Sequence, residues 1–88
     1  MKISVSRSGG LAGLTRTWSV VVDEQPDRDE WMSLVSSLPW GSRPREHPQP
    51  DRYVYVIRAS RRRITLPEQR VEGPWRELVD RVRAAADD

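Results

Sequence analysis

The sequence predicts an α+β domain, a four-stranded antiparallel sheet with two helices packed on one face in the order ββαββα. Three observations carry this. Apolar and polar residues alternate through Ile3–Val5 and Tyr53–Ile57, the period of half-buried strands. Trp31, Leu34, Val35 and Leu38, and then Trp75, Leu78, Val79 and Val82, recur at helical spacing. The chain has 88 residues and no cysteine, so residues 1–88 form a single domain held by packing alone. At that size folding buries roughly 60–65% of the unfolded surface, enough for one modest core.

The first strand carries Ile3 and Val5. Ser8-Gly9-Gly10-Leu11-Ala12-Gly13 follows and is read as a long hairpin loop. The second strand is expected from Leu14 to Val22, with Leu14, Trp18, Val20 and Val22 on the buried face. Arg16 falls in phase with them, which places it at a sheet end where its guanidinium reaches water. A helix is expected from Asp27, with Asp27 as N-cap, Glu30 completing a capping box, and acids where the helix dipole favours them. Pro39 ends it. Residues 39–51, with four prolines and one glycine, read as an exposed, mobile loop.

Tyr53 to Ala59 is the strongest strand pattern, with Tyr53, Tyr55 and Ile57 on one face and Val54 and Val56 on the other. A tight turn at Ser60-Arg61 leads to Arg62, Ile64 and Leu66. The second helix opens at Gly73-Pro74, with proline in the tolerated first turn. It buries Trp75, Leu78, Val79, Val82 and Ala86, and frays over residues 86–88.

Catalytic readings fail on residue supply. The single histidine, His47, lies in the proline-rich loop, and a nucleophile–base pair needs rigid positioning. His47 with Glu46 and Asp51 lacks metal-ligand spacing, so neither a metal nor another cofactor is expected. Nothing approaches the ~18 apolar residues of a membrane helix, and no signal peptide precedes the first strand, so a cytoplasmic monomer is expected.

Two features could bind a partner. Arg58, Arg61, Arg62 and Arg63 could contact phosphates, with Tyr53 or Tyr55 as a stacking platform for single-stranded nucleic acid. A net charge of +2 supplies little long-range attraction for such a ligand, and a hydrated hairpin tip accounts for the arginines better. The glycine-rich loop is the other. Its glycines match no phosphate-binding spacing, and a strand rather than a helix follows. It sets Leu11 among residues small enough for close backbone approach.

Arg7-Ser8-Gly9-Gly10-Leu11-Ala12-Gly13, running into Arg16-Thr17-Trp18-Ser19-Val20, resembles the opening of the emfourin family. These are proteinaceous inhibitors of thermolysin-like metallopeptidases such as protealysin. Asp51-Arg52-Tyr53-Val54-Tyr55 and Pro74-Trp75-Arg76-Glu77-Leu78-Val79 are similar to later family segments, so the resemblance spans nearly the whole chain. Leu11 stands where many relatives carry Phe, and residues 39–50 form a longer loop. The resemblance implies a non-enzymatic protein that binds a thermolysin-like metallopeptidase at its active-site cleft. Such enzymes prefer a bulky apolar residue just after the scissile bond. The resemblance thus implies a protease-binding segment Ser8, Gly9, Gly10, Leu11, Ala12 and Gly13 with Leu11 as anchor, or alternatively a cap over the cleft rim.

Overall fold

The computed structural model describes residues 1–9, 13–41 and 53–86. Its elements are β1 (Lys2–Gly9), β2 (Arg16–Val21), α1 (Arg28–Ser37), β3 (Tyr53–Ala59), β4 (Arg62–Pro67) and α2 (Pro74–Ala86), the ββαββα order expected. The antiparallel sheet runs β2-β1-β3-β4. Each hairpin contributes one central strand, and β1 joins β3 through pairs from Ile3–Ala59 to Gly9–Tyr53. The central place of β3 explains its apolar content on both faces. Tyr55, Ile57 and Ala59 are buried beneath the helices, and Val54 and Val56 are half-buried on the other face.

Ile3, Val5, Trp18, Val20, Tyr55, Ile57, Ile64 and Leu66 meet Trp31, Val35, Leu38, Trp75, Leu78, Val79 and Val82 in one continuous core. Among the described residues no helix covers the opposite face, with Ser4, Ser6, Thr17, Ser19 and Thr65; Ser6 and Thr17 hydroxyls lie 3.1 Å apart across the β1–β2 pair.

Several local expectations are corrected. β2 begins at Arg16, not Leu14, and Leu14 is 74% exposed. Val22 is buried as expected, but in a 3₁₀ turn, where its N–H donates to the Met1 carbonyl at 2.8 Å. Ser8 and Gly9 belong to β1, because β3 pairs with them beyond the end of β2. Asp27 stands at the N-cap without capping the backbone. Its Oδ1 accepts the Trp31 indole N–H at 2.8 Å, and its Oδ2 lies 3.7 Å from the Arg81 guanidinium, which also approaches Glu30 and Glu77 at 3.6 Å. The acid therefore ties α1 to its own buried tryptophan and to α2. Asp23 is likewise drawn into ion pairs, with the Met1 amine at 2.5 Å and Arg28 at 3.3 Å; the amine's hydrogen bond and charge hold its carboxyl below the ordinary value.

Trp40 is not a loop residue in open solvent. Its indole N–H donates to the Val35 carbonyl at 2.9 Å, and its ring meets Trp75 edge-on at 5.1 Å. Ala86 is exposed while Ala85 packs against the core, since Ala86 is four positions past Val82 on a stripe already drifting out of the interface. His47, Glu46, Asp51 and the rest of 42–52 lie outside the described residues, as do residues 87 and 88.

Candidate functional site

The β1–β2 hairpin positions the candidate site. Its last cross-strand pair is Arg7–Arg16, so the connection spans residues 8–15. Ser8 and Gly9 are held on β3 opposite Val54 and Tyr53. Gly9 has φ +98° and Gly13 φ +65°, backbone that side-chain-bearing residues adopt at a cost. The two glycines thus bracket the segment with bends that other residues resist. Gly10, Leu11 and Ala12 lie outside the described residues. Leu14, exposed just beyond Gly13, is an apolar residue of this segment that strand periodicity assigned to the core.

These bends give a testable consequence. A Cβ on Gly13 would meet nothing within 4 Å, so Gly13→Ala isolates backbone strain from packing. Chemical denaturation should show a loss of about 1–2 kcal/mol, the cost of left-handed backbone for a non-glycine residue. A change below a few tenths of a kcal/mol would show that the bend is not enforced in solution.

Sequence reasoning missed a cluster at the base of the hairpin. The guanidinium carbons of Arg7, Arg16 and Arg83 lie 5.3, 5.0 and 4.8 Å from the centroid of one ring, that of Trp18. Arg7 also lies 4.4 Å from the Tyr53 ring centroid. β1, β2 and α2 each supply one arginine, so only the tertiary fold assembles the group. A faint signal existed. Arg7 is in phase with buried Ile3 and Val5, and Arg83 follows Val79 by four residues on the apolar stripe of α2.

The basic run sits elsewhere. The β3–β4 turn at Ser60 (φ +57°) and Arg61 places Arg62 opposite Ala59 and Arg63 opposite Arg58. Tyr53 is at the other end of β3, about 20 Å away at roughly 3.3 Å per strand residue. Tyr55 is buried under the helices and Tyr53 lies against Arg7, so the stacking platform and the cations of a nucleic-acid site are not brought together. Replacing Arg61, Arg62 and Arg63 with Gln should therefore change stability by less than about 0.5 kcal/mol. Labelled single-stranded DNA should bind the unmodified protein only weakly, and less as salt rises. Sub-micromolar binding at physiological salt, abolished by these substitutions, would reverse that assignment.

Among the described residues, no group of three or more His, Cys, Asp and Glu side chains is placed to hold a metal ion. No helix there is long and apolar enough to cross a membrane. A family model described as Emfourin matches residues 5–83, from within β1 to near the end of α2. No curated protein and no solved structure matches the chain.

Proposed function

Because the chain belongs to the emfourin family, whose members inhibit thermolysin-like metallopeptidases, we propose that it inhibits such a peptidase by placing the segment Ser8–Gly13 at the enzyme's active-site cleft. The family match over residues 5–83 carries this reading, since it includes the hairpin connection, β2, α1 and most of α2.

Within this reading, the hairpin is anchored before any partner arrives. Ser8 and Gly9 are already paired to β3, and Gly13 already holds its positive φ. Preorganisation of that kind lowers the ordering cost of association. Leu11 is the anchor, entering the pocket that takes the bulky apolar residue after the scissile bond, while Gly9 and Gly10 allow main-chain approach. Leu14 adds exposed apolar surface beside it. The protein acts without metal or cofactor of its own, as a cytoplasmic monomer.

Titration of the purified protein into a thermolysin-like metallopeptidase hydrolysing a peptide substrate tests the proposal. Activity should fall as the protein is added. Full activity of several such enzymes at large molar excess of the protein would defeat it.

A further inference from the structure

We propose that a recess between α1 and the β3–β4 turn binds the carboxyl end of a peptide whose last side chain is bulky and apolar. Met1, Met32, Val35 and Ala59 give it apolar walls, and the exposed residues Ser36, Ser60, Arg61 and Arg62 complete it. Met32, Val35 and Ser36 fall at i, i+3 and i+4, so they share one face of α1. Three observations meet at this place. Met32 is 40% exposed although its side chain is large and apolar. Among the described residues neither Arg61 nor Arg62 forms an ion pair; the carboxylates engage the Met1 amine, Arg28, Arg76 and Arg81 instead. Ser60 holds φ +57° in the two-residue turn, a position that such turns usually give to glycine. Strained backbone of this kind clusters at ligand sites.

The lining fixes the ligand chemistry. The recess has a volume of about 230 Å³, below the roughly 300–1,000 Å³ of drug-sized sites, so one side chain fills it and a long acyl chain does not. Two methionines let its walls adapt to apolar side chains of different shape. Guanidinium groups beside an apolar recess suit a carboxylate, which their paired N–H donors hold in bidentate fashion. Ser36 and Ser60 add hydroxyls that serve the adjoining peptide group, for which a fatty acid has no counterpart. A phosphate backbone would satisfy the arginines and leave the apolar walls unused. The site is separate from the inhibitory segment. Ala59 pairs with Ile3 and Tyr53 with Gly9, so the recess lies about 20 Å along β3 from that segment.

The test titrates the ¹⁵N-labelled full chain with a short uncharged peptide ending in leucine, followed by amide resonances. Shifts should centre on Met32, Ser36, Ser60 and Arg61 and spare Gly13 and Leu14. Amidating the peptide's carboxyl end should weaken binding on the order of tenfold, the loss of a charge-assisted pair. Ending the peptide in glycine should weaken it by a similar factor, the loss of one buried apolar side chain. The double variant Arg61→Gln, Arg62→Gln should bind the acid and the amide equally. Met32→Glu, at an exposed helix position, should abolish binding of the acid while circular dichroism stays unchanged. Ser60→Gly should raise the melting temperature yet weaken binding, a combination that a purely structural role does not give. Equal binding of acid and amide by the unmodified protein, or no shifts at millimolar peptide, would overturn the proposal. Dodecanoate displacing the peptide at lower concentration would overturn the peptide assignment in favour of a lipid anion. Inhibition of a peptidase is a separate assay, so either reading can fail without the other.

Discussion

Leu78→Ala should destabilise the protein by about 2–5 kcal/mol, the cost of removing a buried leucine side chain when the cavity cannot fully collapse. Leu78 is 0% exposed and sits on α2 between Trp75 and Val82 in the core that joins helix to sheet. Domains of this size are stable by about 0.05–0.15 kcal/mol per residue, roughly 4–13 kcal/mol here, so the loss takes a large fraction of the margin. Urea denaturation followed by tryptophan fluorescence should show the midpoint falling sharply, with partial unfolding in buffer at the upper end of the range. Leu14→Ala is the matched control. The same deletion at a residue 74% exposed should change stability by less than about 0.5 kcal/mol. Equal losses at the two positions would mean that α2 does not pack as described.

Replacing Leu11 should act on inhibition rather than stability. If Leu11 fills a desolvated pocket on the peptidase, Leu11→Ala removes an interface anchor, and such losses run to about 2 kcal/mol or more. That is a rise of at least about thirtyfold in the inhibition constant, at tenfold per 1.4 kcal/mol. Leu11→Asp should nearly abolish inhibition, because an unpaired carboxylate would be buried in an apolar pocket. Leu11→Phe should retain it, since the aromatic ring also supplies bulky apolar surface. Inhibition constants against one responsive peptidase, with circular dichroism to confirm folding, decide the matter. Folded Leu11→Ala and Leu11→Asp proteins that inhibit as well as the unmodified chain would remove Leu11 as anchor. A cap over the cleft rim would then be the better geometry.

The sequence by itself determined the element order and most of the core, because those depend on local period. Ile3 and Val5 alternate, Trp75, Leu78, Val79 and Val82 recur every three or four residues, and each set has one face to bury. The family signature from Arg7 to Gly13 was legible for the same reason: it is contiguous. Elements ended differently from expectation where a distant partner outcompeted a local rule. Asp27 has the residue type of an N-cap, yet its carboxylate accepts the Trp31 indole N–H and faces Arg81. Trp40 stands among prolines and glycine, yet its ring is drawn onto Trp75. Ser8 and Gly9 read as loop, yet β3 extends β1 through them, while Leu14, in phase with Trp18, lies beyond the last β1–β2 pair.

Only the tertiary structure decided that β1 and β3 are the central strands and that three arginines share one indole. Arg7, Arg16 and Arg83 lie on three different elements, and no periodicity links positions that far apart in the chain. Their convergence follows from the β1–β2 register and the packing of α2 on that end of the sheet. The physical reason is one of range: side-chain period reports which face an element buries, whereas the neighbours on that face depend on how whole elements pair and pack.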